Sequence, residues 1–331
     1  MQIDTLFWTI PHQAQWILEG DIKSCFDEIN HNWLMNNIKT DKQILDKWLK
    51  SGIINKNKLH EEFYETNKGT PQGSIISPTL ANITLNGMED LLKDLKGKYK
   101  VHVITYADDF VVTAKSKEIL QELVKPRIEA FLKIRGLQLS QEKTNITHIS
   151  KGFDFLGFNV RKYKEKLFVK PSKGSIKDFL QDTKRIIKIH KTVKTEDLIR
   201  ILNPKIRGWA NYYRHVVSKE VFNHIDENIH WSLWKWSRRK HPNKSSTWTK
   251  NKYYRSNGSN NWIFHAKTKH KGETSSFDIV QASKVPIIRH VKIRGHANPF
   301  DPNYKEYFQS RKIKDSNSNK RKEKEMILIR K

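Results

Sequence analysis

The stretch Val103-Ile104-Thr105-Tyr106-Ala107-Asp108-Asp109-Phe110-Val111-Val112 constrains this chain more than any other. Two short apolar runs, residues 101–105 and 110–113, flank a pair of adjacent carboxylates. β-formers interrupted by turn residues predict a hairpin, here with an acidic tip. Like charges side by side repel, so the pair is costly unless a cation or hydrogen bonds offset it. Asp is also a common turn residue, and a solvated Asp-Asp tip needs no chemistry to explain it.

Upstream, residues 15–22 read as a buried strand ending in Asp21, and residues 23–29 turn away from it. Residues 30–39 and 41–50 read as helices, opened by the capping side chains of Asn30 and Asp41. An acid at a strand's end, facing a second acidic turn, is how separate segments assemble a two-metal site. Asp21, Asp108 and Asp109 would supply oxygen ligands to Mg²⁺ ions about 3.5–4 Å apart, clamping the attacking and leaving oxygens of phosphoryl transfer. Taken alone, Asp21 reads as a helix-capping acid.

Between these acids, Lys68-Gly69-Thr70-Pro71-Gln72-Gly73-Ser74-Ile75-Ile76-Ser77-Pro78 is a tight loop where backbone can approach a ligand closely. Ser77 as N-cap and Pro78 as first helical residue predict a helix over 79–95, stopped by Gly97. After the hairpin, residues 116–135 form an amphipathic pattern that Pro126 must bend or split. A strand over 145–149 and an apolar turn at 153–158 follow. This order predicts an α+β fold with a mostly antiparallel sheet.

The net charge of +27 is unevenly placed. Residues 1–150 hold 19 basic and 19 acidic side chains, whereas residues 151–331 hold 43 and 16. A neutral half joined to a strongly basic one suits a core fused to a polyanion-binding surface. Nucleic acid fits better than a membrane, since no run of about 18 apolar residues and no amphipathic anchor is present. The single cysteine, Cys25, excludes an internal disulfide and a multi-cysteine zinc site, and points to a reducing compartment.

Asp21 in its strand, the Gly69–Pro78 loop, Tyr106-Ala-Asp-Asp, Lys143 and Phe155-Leu-Gly-Phe occur in an order that resembles the reverse transcriptase/maturases encoded by group II introns. The resemblance runs from about residue 14 to about residue 310. It implies a polymerase palm in which Asp21 and Asp108 hold Mg²⁺ and Asp109 completes the acidic cluster. It also implies that Phe26 bars a 2′-hydroxyl, although Phe26 reads equally as a core ring. Gln72 and Gly73 would lie against the templating pair or the incoming dNTP, and Lys143 near the triphosphate. Phe155, Leu156 and Gly157 would form the primer grip.

Residues 202–214, Leu-Asn-Pro-Lys-Ile-Arg-Gly-Trp-Ala-Asn-Tyr-Tyr-Arg, look like the family's maturase segment, with a helix following Pro204. Residues 230–241 repeat its mixture of rings and cations, which suits RNA. Arg207, Arg214, Arg238, Arg239 and Lys240 are the expected RNA contacts, with Trp209, Trp231 and Trp234 in a bundle core. Residues 245–261 read as a linker, and residues 286–301 resemble a segment that helps to bind DNA. The expected domains are a palm over 1–160, a thumb/maturase region over 161–244, a basic DNA-binding-like segment over 245–310 and a charged tail over 311–331.

Two departures shape the functional expectation. Only 20 residues precede Asp21, where the resemblance implies a basic fingers region, so a separate fingers-containing polypeptide is an expected partner. With Cys25 alone, no cysteine-containing endonuclease fits. The expected function is RNA-directed DNA polymerisation together with maturation of a group II intron, with intron RNA, a DNA target or primer and dNTPs as partners. It would act in a bacterial cytoplasm or an organelle matrix. The alternatives are a non-catalytic RNA-binding splicing cofactor, part of a split polymerase, or a remnant that does neither.

Overall fold

The computed structural model describes residues 14–57, 60–64, 66–71, 73–164, 166–258, 260–270, 273–289, 293–294 and 297–311. The first elements are β1 (Trp16–Asp21), α1 (Cys25–Glu28), α2 (His31–Asn37), α3 (Lys42–Leu49) and the hairpin β2 (Ile53–Asn57) and β3 (His60–Tyr64). Next come α4 (Ser77–Leu85), α5 (Met88–Leu91), α6 (Leu95–Tyr99), β4 (His102–Tyr106), β5 (Asp109–Ala114), α7 (Lys125–Lys133) and β6 (Asn145–His148). The sheet order is β4-β5-β1-β6, and its pairings are all antiparallel. The fold is α+β, as the sequence implied.

Strand alternation gives the sheet two unlike faces. Leu18 and Gly20 of β1 share one face with Phe110 and Val112 of β5, and this face packs on the helices in the largest core. Ile17, Glu19 and Asp21 share the other with Val111 and Asp109. There Ile17, Ile104 and Val111 pack against Phe153, Phe155 and Val160 of a second sheet. That sheet, in the order β7-β8-β9, comprises β7 (Phe153–Phe155), β8 (Phe158–Tyr163) and β9 (Lys166–Pro171). Apolar packing covers one end of the face, and the carboxylates lie at the other.

The expected caps are present at α2 and α3, where Asn30 accepts from Trp33 N and Asp41 from Gln43 N and Ile44 N. Three expectations need correction. Ser77 lies inside α4 and its hydroxyl donates to Pro71 O (2.8 Å) instead of capping. The single helix over 79–95 is three short ones, because the chain turns at Gly87 so that Met88 and Leu92 re-enter the core already holding Leu80 and Leu85. Gly97 sits within α6. Pro126 splits its helix as expected, by way of a π-helical stretch, Ile119–Val124. The wider turn lets Lys125 N–H reach Leu120 O, and Pro126 then enters the first turn of α7, where no donor is needed.

The second half is built from α8 (Lys173–Ile189), α9 (Thr195–Tyr213), α10 (Lys219–Lys240), α11 (Ser246–Tyr253) and the sheet β10 (Tyr254–Arg255), β11 (Ile263–His270) and β12 (Glu273–Asp278). Leu202, Ile206, Phe222 and Leu233 of the helices share one core with Tyr253, Phe264 and Ala282. That core crosses the expected boundary at residue 245, and the expected linker over 245–261 contains α11. α9 also begins well before Pro204, because its buried stripe Leu198, Leu202, Ile206 and Ala210 holds the helix while Pro204 faces solvent. The chain divides into a compact unit up to Arg289 and a second from His290. Residues 290–292 and 295–296 of the DNA-binding-like stretch, and the tail beyond Arg311, lie outside the described residues. No helix among the described residues is long and apolar enough to cross a membrane.

Candidate active site

β4 and β5 are joined by a two-residue turn, Ala107-Asp108, in which Ala107 takes a positive φ of 52°. Tyr106 pairs with Asp109 across the hairpin, so Asp109 belongs to the strand and only Asp108 occupies the tip. Asp109 in turn pairs with Asp21 of β1. Tyr106, Asp109 and Asp21 therefore stand in one row on one face. The end of β1 is fixed from its other side as well. Ser140 N donates to Asp21 O (2.8 Å), Lys23 N donates to Gln138 O (3.0 Å), and Ile22 bridges Leu139. The turn that follows brings Lys143 Nζ to 3.3 Å from Asp21 Oδ2. The lysine side chain is 70% exposed, so this pair adds little stability and is free to change partners.

Two groups report the negative field here. Burial first, then Asp108 and Asp21, push the Asp109 carboxyl above its ordinary range, against an opposing pull from Lys143. Burial, followed by Asp108, Asp21 and Asp27, pushes the Cys25 thiol up to about 12. Cys25 should therefore react with iodoacetamide at pH 8 at least about a hundredfold more slowly than an exposed thiol, and speed up on unfolding. Fast native alkylation would contradict this placement.

The donor set fits a hard divalent cation: neighbouring carboxylate oxygens, on backbone fixed from two sides. Among the described residues, no three His, Cys, Asp or Glu side chains form a group ready to enclose an ion. Mg²⁺ is commonly held by one or two carboxylates together with substrate phosphates, so a protein cage is not required.

Beyond Asp21 the chain reverses at Ser24 (φ 46°) into α1, which carries a half-buried Phe26 packed against the main core. The glycine-containing loop is tied to this turn. Gly69 N donates to Ile29 O (2.8 Å) and Thr70 N to Phe26 O (2.6 Å), while Lys68 Nζ lies 2.7 Å from Glu28. His31 Nε2 lies 2.6 Å from Gly69 O, which requires the ring proton on that nitrogen. Gly73 is exposed at φ 95°, and Gln72 lies outside the described residues.

Phe155 pairs with Phe158, and the turn between them has positive φ at both Leu156 (50°) and Gly157 (79°), the signature of a type I′ hairpin. Tyr213 Oη lies 3.1 Å from Gly157 O and 2.7 Å from Ser175 Oγ. Its one proton serves the carbonyl, so Ser175 donates to it. Tyr212 Oη donates to Leu156 O at 3.3 Å. Both tyrosines close α9. In the sequence they belong to the expected maturase segment, and nothing there shows their contact with this turn. The adjacent pair at the end of an amphipathic helix was the available signal.

The basic residues divide into three kinds. Arg207 and Arg239 are exposed. Arg238 Nη1 donates to Lys244 O and Lys240 Nζ to Val193 O, both at 2.5 Å, and Lys240 also lies over the Trp236 ring (4.6 Å). These two hold the end of α10 to its surroundings. Arg214 is half-buried, and its Nε lacks a hydrogen-bond partner. The bundle-core expectation holds for Trp209, stacked on Phe179 (5.0 Å), and for half-buried Trp234. It fails for Trp231, which is 53% exposed.

An antiparallel sheet with paired strand-end acids, followed by a hairpin and a helical bundle, is the layout of a polymerase palm and thumb. The family model described as reverse transcriptase (RNA-dependent DNA polymerase) matches residues 4–160, and the one described as group II intron, maturase-specific domain matches residues 176–254. The chain belongs to the group II intron reverse transcriptase/maturase family. It is 27% identical to group II intron-encoded protein LtrA of Lactococcus lactis subsp. cremoris, across 60% of this chain and 49% of that protein. It is 31% identical to protein YkfC of Escherichia coli (strain K12), across 44% and 46%. The chain thus spans about half the length of the curated relatives it matches. Among solved structures, telomerase from Candida albicans in complex with a telomeric RNA fragment aligns with a TM-score of 0.40 and 16% identity, over 75% of this chain and 48% of that one.

Proposed function

We propose that this chain carries the catalytic palm of an RNA-directed DNA polymerase, joined to a helical region that binds group II intron RNA. The observation that supports it best is the register pairing of Asp21 with Asp109, beside Asp108, at the end of the sheet face beyond its apolar packing. These three carboxylates would hold Mg²⁺, which when bound neutralises phosphate charge and favours the ionised 3′-hydroxyl. Lys143 leaves Asp21 for the triphosphate of the incoming dNTP. Phe26 stands against the sugar, the loop containing Gln72 and Gly73 against the base pair, and the Phe155–Gly157 turn against the primer. Most of the rate then comes from holding the reacting groups in line.

Primer extension on an RNA template with Mg²⁺ and dNTPs tests this reading, with Asp108→Ala/Asp109→Ala as control. Extension that vanishes in the control supports it. No extension, with RNA binding unchanged in the control, sinks autonomous polymerisation. It would favour the second reading, a splicing cofactor acting through exposed cations such as Arg207 and Arg239, or one part of a split enzyme. Phe26→Val should lower the preference for dNTPs over rNTPs at least about tenfold, since the shorter side chain leaves room for a 2′-hydroxyl. An unchanged ratio would return Phe26 to a purely structural role.

A further inference from the structure

α9 ends in two consecutive tyrosines that meet the Leu156–Gly157 turn in different ways. Tyr213 is only 3% exposed and fastens Gly157 O to Ser175 from within the core. Tyr212 is 52% exposed. Its hydroxyl is anchored on Leu156 O, and its ring stacks on Phe158 (centroids 5.3 Å apart, planes at 29°). It also abuts Tyr213 edge-on at 4.8 Å. Such a side chain has little rotamer freedom left to lose, so its open face is a preorganised contact surface.

Its surroundings give that surface a direction. Burial, with a smaller contribution from Tyr106, pushes the Tyr212 phenol up, so the two phenols are electrostatic neighbours. Tyr106 is itself 62% exposed and stands in the row with Asp109 and Asp21. A half-exposed tyrosine is ordinary on a protein surface. One tied at its hydroxyl to a hairpin turn and lying beside a catalytic row is not explained by surface chance.

We propose that Tyr212 is the contact that the helical half supplies to the primer terminus. Its open ring face packs against the terminal nucleoside of a strand bearing a 3′-hydroxyl, while its hydroxyl keeps the Leu156–Gly157 turn in place beneath that strand. This rests on the polymerase reading, and it separates two roles within one side chain. The ring sets affinity for the primer end. The hydroxyl sets the position of the turn.

The test uses the full chain and an RNA template annealed to a DNA primer with 2-aminopurine as its last nucleotide. Wild type and Tyr212→Phe should quench the fluorophore on binding. Tyr212→Leu should lose most of the quench and raise the half-saturating duplex concentration about tenfold, with half-saturation by dNTP unchanged. Tyr212→Leu that binds and quenches like wild type overturns the proposal, as does a wild type that gives no quench. Binding needs no turnover, so a wild type that quenches but extends nothing would defeat the polymerase reading alone. Should Tyr212→Leu not fold, a primer ending in 5-iodouracil is crosslinked to wild type instead. A crosslinked peptide containing Tyr212 supports the proposal, and crosslinks confined to other peptides overturn it.

Discussion

Asp109→Asn is expected to reduce primer extension at least about a thousandfold, and at the same time to make the fold more stable. Both effects follow from one cause. Burial and the neighbouring Asp108 and Asp21 push the Asp109 carboxyl above its ordinary range. A carboxyl raised in this way binds its proton more readily in the folded chain than in the unfolded one. Across the window between its unfolded and folded values, the native state holds more protons, so stability falls as pH rises. At neutral pH the ionised group therefore carries a cost that Asn removes, a gain of about 0.5–2 kcal/mol of the kind found when a functional site is neutralised. Activity runs the opposite way, because only the ionised carboxylate can hold a divalent cation and phosphate charge together. Wild-type extension should thus fail on acidification earlier than an ordinary carboxylate would dictate. Thermal unfolding and extension rates on the same preparations check the pair of effects. Retained extension in Asp109→Asn would remove the residue from the machinery, and a lower unfolding midpoint would show that its carboxylate serves the fold.

What the sequence disclosed depended on how local the cause was. The caps at Asn30 and Asp41 and the β4–β5 hairpin are decided within a few residues, and all three were legible. The end of α4 was not, because nothing near Gly87 shows that Met88 and Leu92 must turn back into a core shared with Leu80 and Leu85. α11 was hidden by a polar composition that resembles a linker, although Ser245 accepts from Trp248 N and caps it. At the site, Asp108 and Asp109 were visible as a local pair, whereas Asp21 alone looked like a capping acid. Its partner is Asp109, set by strand register across a long stretch of chain. The contact of Tyr212 and Tyr213 with the Leu156–Gly157 turn needed the packed helix. The bonds of Arg238 and Lys240 to neighbouring carbonyls were hidden for a related reason. Charge is read from sequence, and its commitment to a neighbouring carbonyl is not.

Gly69→Ala is expected to destabilise the fold by about 2–4 kcal/mol, and to loosen sugar discrimination with it. Two costs combine. Gly69 sits at φ 75°, where an L side chain carries a penalty of about 1–2 kcal/mol. Its added Cβ would also stand 2.5 Å from Asp27 O and 2.6 Å from both Asp27 C and Phe26 O. Those atoms are backbone, so no flexible tip can swing aside, and overpacking adds about 1–3 kcal/mol. Relief requires the loop to retreat from α1, which breaks the hydrogen bonds from Gly69 N to Ile29 O and from Thr70 N to Phe26 O. Phe26 would then lose the clamp on its own carbonyl, and its ring would no longer be held in the place from which the proposed function has it meet the sugar. Gly73→Ala is the internal comparison, since Gly73 also has a positive φ (95°) but nothing within 4 Å of an added Cβ. It should cost only the conformational penalty and leave the dNTP to rNTP ratio unchanged. Urea midpoints at constant slope give the stability difference, and competitive nucleotide incorporation gives the ratio. Equal costs for the two variants would mean that the loop does not rest on the α1 backbone. A stability loss at Gly69 without a change in sugar preference would sever Phe26 from the loop's function.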